Sequence, residues 1–388
     1  MRFVGARQET AAVSMAAGFA WSAGRPAVCT VTHGPGLSNA LTGLRSAVRD
    51  RLAVVLIVGD IRAEPGWSAQ RVDHGQMLGW TEAAVLDCAD PAGLAAAVAD
   101  AFGRAGATRA PVVLNIRAEL LAAPAVPQRP ADPAPERAPV PEPDDGAVQR
   151  AAAALRAARR PLVLAGRGAL WAGAGPALRE LAERSGALLA TTLPAKGLFR
   201  GDPFDLGVCG GYSTAVTRDL VAESDLALVV GAGLGGYTTD RDTLLAASRV
   251  VHCDLAPRPD ARVAVPGDAA ATVDRLLAAV RGGEPRRRTG EVAARIATAG
   301  DFADGTDAGG LDPRLVLRAV DRALPADRQV VTDVGHFTTF PSQLVGAGAG
   351  RYLPALGFAA VGLSVATGIG AALGRAGPTL VVVGTAAR

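Results

Sequence analysis

The sequence predicts an α/β protein of parallel sheets divided into two or three domains. Three observations lead there. The chain has 388 residues, enough for more than one core. Hydrophobic residues make up 49% of it and glycine is abundant, with 47 residues, which suits close packing and excludes a disordered chain. Finally, short apolar runs end repeatedly in glycine turns and alternate with helical patterns, as at Gly34-Pro35-Gly36, Gly166-Arg167-Gly168 and Gly231-Ala232-Gly233.

The stretch 7–39 organises the N-terminal part. Glu9 opens a helix whose Ala12, Val13, Ala16, Phe19 and Ala20 recur at helical spacing. Residues 27–31 form an apolar, partly β-branched run that reads as a buried strand. Gly34-Pro35-Gly36 ends it with tight-turn chemistry, and a second helix follows from about Ser38. A carboxylate at one helix start thus lies close in sequence to a strand-to-helix loop. Such loops have backbone N–H groups facing outward and sit where ligands bind in parallel sheets. The plainer alternative is a glutamate that only favours the helix dipole, beside an ordinary Gly-Pro turn.

The remaining elements follow in order. Residues 1–5 read as a strand, and 53–58 as another ending in Gly59-Asp60. Trp67 to His74 is a polar loop containing Gln70. A helix near 91–103 and a strand near 111–116 close the first domain, 1–121. Proline and charge crowd 122–145, which reads as an extended linker. The second domain, 146–281, carries strands at 161–165, 187–191, 226–230 and 249–254. Neither of its Gly-x-Gly turns completes the dinucleotide fingerprint Gly-x-Gly-x-x-Gly. A second linker, 282–310, holds Arg286-Arg287-Arg288, which reads as a solvated charge run, and a short helix near 291–298. The third domain, 311–388, opens at Asp312-Pro313, an N-cap followed by proline at the first helical position. A strand at 329–333 leads into Val334-Gly335-His336-Phe337. Residues 357–373 read as a small-residue helix packed on a sheet, and 379–383 as a last strand.

Several function classes are excluded. The formal net charge is +3, without a basic cluster long enough for nucleic acid. Four scattered cysteines, Cys29, Cys88, Cys209 and Cys253, fit a reducing cytoplasm and no disulfide framework or zinc site. No His-x-x-x-His pair, signal peptide or membrane-length apolar run is present.

Arg7-Gln8-Glu9-Thr10 together with Gly34-Pro35-Gly36-Leu37-Ser38-Asn39 resembles the pyrimidine-binding domain of thiamine-diphosphate enzymes of the acetolactate synthase group. That family has Arg-His-Glu-Gln and Gly-Pro-Gly-Ala-Thr-Asn at these places, so Gln8 stands for the usual histidine. The resemblance implies three doubly wound parallel-sheet α/β domains, the first lacking its N-terminal unit and the third incomplete. It implies that Glu9 hydrogen-bonds N1′ of the cofactor's aminopyrimidine and drives the imino tautomer that generates the ylid. Gln70 matches a glutamine at the active-site entrance, and Asp60 stands near the cofactor where the family usually has glutamine. Gly34, Pro35, Gly36 and Asn39 belong to the cofactor loop. Gly335, His336 and Phe337 match the segment whose backbone meets the diphosphate. Val361, followed by Gly362, falls where the family bends the cofactor into its reactive shape.

The family's Mg²⁺ is held by an Asp and an Asn after the last strand. Here Gly384-Thr385-Ala386 follows, so the resemblance implies thiamine diphosphate with Mg²⁺ but supplies no metal ligand, and the chain looks truncated at both ends. Gly233 replaces an arginine that holds FAD in acetolactate synthases, which speaks against FAD. The implied reaction is carboligation or decarboxylation of a 2-oxo acid of the pyruvate class. The implied assembly is a homodimer or tetramer, or association with a full-length homologue, with neither nucleic acid nor membrane as partner. Two alternatives stand beside it: another thiamine-diphosphate lyase or decarboxylase, and a catalytically incompetent paralogue.

Overall fold

A computed structural model describes all residues except 1–2, 62–66, 128–139, 284–285, 308–309 and 385–388. The chain forms two compact units. One comprises residues 1–138, 329–335 and 354–388, the other residues 139–328 and 336–353.

In the first unit, β1 (Ala27–Val31), β2 (Val54–Asp60), β3 (Ala84–Cys88) and β4 (Val112–Arg117) form a parallel sheet in the order β1-β2-β4-β3. Helices Glu9–Ala23 and Pro35–Asp50 bury Val13, Leu37 and Leu44 against Leu56, Val58 and Val113. The opposite face packs Val55, Val112 and Leu114 against Ala101 and Ala105 of helix Leu94–Thr108. Alternate residues of each strand thus feed opposite cores, which is what helices on both faces of a parallel sheet require.

The second unit holds β5 (Pro161–Ala165), β6 (Leu188–Thr191), β7 (Asp205–Val208), β8 (Leu226–Val230), β9 (Arg249–Asp254) and β10 (Val263–Pro266). They lie in the order β10-β9-β8-β5-β6-β7, all parallel. The chain direction across the sheet reverses between β5 and β8, the topological switch point. Val163, Leu189, Leu228 and Val251 face one core, and Leu162, Leu164, Leu188 and Val229 the other.

After β11 (Gln329–Thr332) and the three-residue β12 (Tyr352–Pro354) come helix Ser364–Gly374 and β13 (Thr379–Val382), which pairs in parallel with β11. Helix Ser364–Gly374 packs on helix Glu9–Ala23 with backbone against backbone. A Cβ on Gly18 would stand 1.9 Å from the Thr367 carbonyl oxygen, and one on Gly370 1.9 Å from that of Met15. Gln329 joins the contact: its Nε2 donates to the Ala371 carbonyl, and its Oε1 accepts from Ser22 Oγ. The segment expected as one third domain is therefore divided, because these contacts draw 354–388 to the glutamate helix.

Strands β5, β8 and β9 have the expected bounds, and Asp312 accepts from Arg314 N to open helix Pro313–Ala323, as Asp-Pro predicted. Three expectations need correction. Phe3 to Gly5 form no strand, and Phe3 is 85% exposed. The edge strands β3, β7 and β10 were not foreseen; two of them have only four residues. Arg286-Arg287-Arg288 is no solvated run. Arg286 donates to the carbonyls of Leu155, Arg156 and Ala158 at the end of helix Asp145–Ala157. Arg287, 5% exposed, donates to Leu220 O, Ser224 Oγ and Glu223. Arg288 makes a forked bond to Asp202, 3.0 and 3.1 Å. Cationic donors at helix C-termini satisfy carbonyls the helix leaves open. Among the described residues no helix is long and apolar enough to cross a membrane.

Lys196 is half-buried in the second unit. Its Nζ donates to the Ser342 carbonyl and sits 5.3 Å from the Tyr352 ring centroid. Burial pushes its pKa down to about 8, against the opposing pull of Asp205 and Asp321 and with Arg200 adding to the fall. The unfolded lysine stays charged up to 10.5, so between these values the unfolded chain binds more protons and stability rises with pH. Relative to Lys196→Met, the native protein should therefore gain stability on the order of 1–3 kcal/mol between about pH 7 and about pH 10, read by urea unfolding. A difference that stays constant with pH would show that Lys196 remains charged throughout.

Candidate functional site

Four hydrogen bonds surround Glu9. Gln8, the helix N-cap, is extended; its Oε1 accepts from Ala11 N at 3.0 Å, and its Nε2 donates to Thr10 Oγ1 at 3.3 Å. The Thr10 hydroxyl donates to the backbone carbonyl of Asn39. The Asn39 side chain returns the connection: its Nδ2 donates to Glu9 Oε2 at 3.1 Å. Glu9 Oε1 has no hydrogen-bond partner among the described residues. Gln8, at the position of the family's histidine, thus serves as a two-ended cap, using the acceptor and donor that an amide side chain combines.

Helix packing brings Asn39 to Glu9. One turn beyond Asn39, a Cβ on Gly43 would lie 3.1 Å from both the Thr10 carbonyl and Val13 Cβ. The small residue lets helix Pro35–Asp50 come close to the start of helix Glu9–Ala23. At its own start, Gly34 has φ 59 and ψ −113, and Pro35 takes the first helical position. A Cβ on Gly34 would stand 2.5 Å from the Gln70 carbonyl oxygen and 3.0 Å from Gln70 Cβ. The loop carrying Gln70 therefore rests on the glycine loop. It ends where Asp73 caps helix His74–Gly79 by accepting from Gln76 N. Glu9, Gly34, Pro35, Gly36, Asn39 and Gln70 are gathered by the two helix starts and this loop.

Asp60 goes elsewhere. It is buried, and its Oδ2 accepts from Asn115 Nδ2 at 3.1 Å, while Asp87 Oδ1 accepts from the same amide at 2.7 Å. Asn115 Oδ1 lies 2.9 Å from His74 Nδ1, so that nitrogen carries the proton, an amide oxygen being an acceptor only. Three strands and one helix are joined by this cluster, buried except at Asp87, which sequence spacing gave no means of finding.

Asp333, at the end of β11, was also missed. Its carboxylate accepts from Val334 N at 2.8 Å and from Gly362 N at 3.0 and 3.1 Å. It thereby ties the loop of Gly335 to the loop of Val361 and Gly362. Gly335 is exposed, and Val361 is 69% exposed. His336 and Phe337 begin a short turn, His336–Thr338, that groups with the second unit.

The half-buried carboxylate at the helix start, held by the Asn39 side chain, suits the aminopyrimidine end of the implied cofactor. The metal is a different matter. Among the described residues no group of three or more His, Cys, Asp or Glu could hold one, and Thr385 lies outside them. In the second unit the two glycine loops close on each other across the switch point. Gly166 N donates to Val230 O and Gly168 N to Gly231 O, each at 2.8 Å, so these N–H groups do not face a pyrophosphate. Beyond Gly233, a cavity of about 260 Å³ lined by Leu234, Thr239, Val250 and Arg258 has its cation already paired with Asp242 and Asp260.

Two family descriptions match the chain. Residues 1–76 match the thiamine pyrophosphate enzyme N-terminal TPP binding domain, and residues 148–276 the thiamine pyrophosphate enzyme central domain. An acetolactate synthase large subunit from Parasynechococcus marenigrum is 33% identical over 94% of this chain and 62% of its own length. A Pseudomonas aeruginosa protein named "Probable 2-ketoarginine decarboxylase AruI" is also 33% identical, over 99% of this chain and 70% of its own. A sulfoacetaldehyde acetyltransferase from Rhodobacter capsulatus is 26% identical over 100% of this chain and 70% of its own. The chain thus spans less than two thirds of the first of these relatives.

Gly34 is the position where this geometry is most exposed to change. Gly34→Ala should cost about 1–3 kcal/mol, since a side chain is strained at its φ and meets Gln70 backbone. Gly5→Ala, with nothing within 4 Å of the added carbon, is the control and should melt with the native protein. Equal melting of Gly34→Ala would mean that the Gln70 loop is free to move away.

Proposed function

The chain belongs to the thiamine pyrophosphate enzyme family, and from that premise we propose that it serves carboligation or decarboxylation of a 2-oxo acid of the pyruvate class, with Glu9 as the proton-holding carboxylate. The observation that carries this reading is the Glu9 carboxylate at a helix start, half-buried and with one oxygen held by Asn39.

Thiamine diphosphate, when bound, supplies a nucleophilic thiazolium carbon and an electron sink for decarboxylation. The chain's residues do the rest. Glu9 Oε1 would hold the proton shared with N1′ of the aminopyrimidine. Gly34, Pro35 and Gly36 would border that ring, and Gln70 the approach to it. The backbone at Gly335, His336 and Phe337 would meet the diphosphate, while Val361 and Gly362 would support the cofactor's bend. Asp60 acts at a distance here, by fixing β2 to Asn115. Among the described residues no group of three or more His, Cys, Asp or Glu could hold a metal, and no residue role here depends on one.

A homodimer fits the same reading. Val361, Val365 and Ile369 stand four residues apart and are 69%, 53% and 47% exposed. Val365 and Ile369 share one face of helix Ser364–Gly374 and Val361 lies in the turn before it, exposed apolar residues suited to a second copy.

A second reading, decarboxylation without carboligation, draws on Gln8, Asp60 and Gly233, all departures from the synthase pattern. Pyruvate converted to acetaldehyde and not to acetolactate would decide for it.

The first test follows the C2 proton of added thiamine diphosphate by NMR in deuterated water. Glu9→Gln should slow its exchange by roughly 10²-fold, because a neutral amide cannot hold the proton in the same way. Exchange at the native rate would remove Glu9 from the chemistry. A further expectation concerns colour: the purified protein should show no flavin absorption, since the switch-point N–H groups are used within the protein and Gly233 replaces a cationic partner. Stoichiometric flavin after gel filtration would overturn that.

A further inference from the structure

We infer that Asn39 is a positioning residue for Glu9, and that Thr10 holds Asn39 in place to do it. The inference rests on the reading of Glu9 given above and assigns its orientation to residues that reading leaves without a role.

Glu9 is the first residue of its helix and only half buried. A carboxylate there has several staggered rotamers open to it. One set turns it back toward the N–H groups and positive dipole of its own helix start. Two features oppose that retreat. Gln8 Oε1 already accepts from Ala11 N, so one of the open N–H groups is occupied. Asn39 Nδ2 then draws Oε2 toward helix Pro35–Asp50 with a hydrogen bond to a charged group, a stronger contact than a neutral pair. Oε1 is left without a hydrogen-bond partner among the described residues.

Asn39 is itself exposed and would not hold this position unaided. The Thr10 hydroxyl donates to the Asn39 carbonyl and receives a hydrogen bond from Gln8 Nε2. The ring Gln8, Thr10, Asn39, Glu9 therefore closes between two helices whose separation Gly43 sets. Its members differ in what they offer: the two amides each have a donor and an acceptor, the hydroxyl does both at one atom, and the carboxylate only accepts.

The chain contains two asparagines, Asn39 and Asn115. Protein labelled with nitrogen-15 in asparagine alone gives two side-chain amide pairs, and Asn39→Gln identifies which belongs to Asn39. In Glu9→Ala, the Asn39 pair should move upfield and exchange faster with water. The Asn115 pair, held by Asp60, Asp87 and His74, should stay and so report that the unit is folded. Thr10→Val should shift the Asn39 pair as well. With thiamine diphosphate added, Asn39→Ala should slow C2-proton exchange roughly fivefold, the effect of losing one modest hydrogen bond. An Asn39 pair unmoved in Glu9→Ala while Asn115 reports a folded unit, or C2 exchange unchanged in Asn39→Ala, overturns the inference. Loss of the effect of Glu9→Gln on that exchange, with the amide shifts intact, would instead overturn the role of Glu9 and leave the hydrogen-bonded ring standing.

Discussion

The contact on which the first unit depends most is the backbone-to-backbone crossing of helices Glu9–Ala23 and Ser364–Gly374. At Gly18 and Gly370 the neighbour is a carbonyl oxygen, which has no rotamer to change. Interiors packed this closely transmit any added volume as displacement of whole elements. The helix that presents Glu9 is thereby held between the Pro35 helix on one side and residues from the far end of the chain on another. Gln329 adds polar fastening by joining Ser22 to Ala371 across the same contact.

Polar side chains then do what small ones cannot. The apolar cores set the helices on the sheets, yet apolar contact is non-directional and cannot choose which carboxylate oxygen faces outward. Hydrogen bonds make that choice. Gln8, Thr10 and Asn39 act at the helix starts, Asn115 joins Asp60, Asp87 and His74 under the strand ends, and Asp333 binds two loops together. All three groups lie at or near the carboxyl ends of parallel strands, where an α/β sheet leaves its loops free to carry ligands.

Much of this was legible in the sequence, and the reasons are local. Strands β5 and β8 are continuous apolar runs closed by glycine, and the Asp-Pro start at 312–313 names its own cap. The Glu9 helix and its glycine loop were recognisable for the same reason: each motif fits within a few residues. The edge strands β3, β7 and β10 were missed because a short edge is defined by its pairing and not by its own pattern. Asn115, which bonds Asp60, lies 55 residues further along the chain, a distance at which spacing carries no information. The arginine triplet misled for a related reason, since nothing in a run of three arginines reveals that carbonyls wait for them more than sixty residues earlier.

That arginine clasp has a consequence for the order in which the protein is made. Helix Asp145–Ala157 and helix Ala215–Ala222 are synthesised long before residues 286–288, yet it is those residues that fill their open carbonyl ends. Domains assemble as their sequence leaves the ribosome, N-terminal parts first. The six-stranded sheet can therefore form while still lacking its final fastenings, and it waits in that looser state until the triplet emerges. The six-stranded sheet gains these fastenings from behind, from a segment that contributes no strand to it.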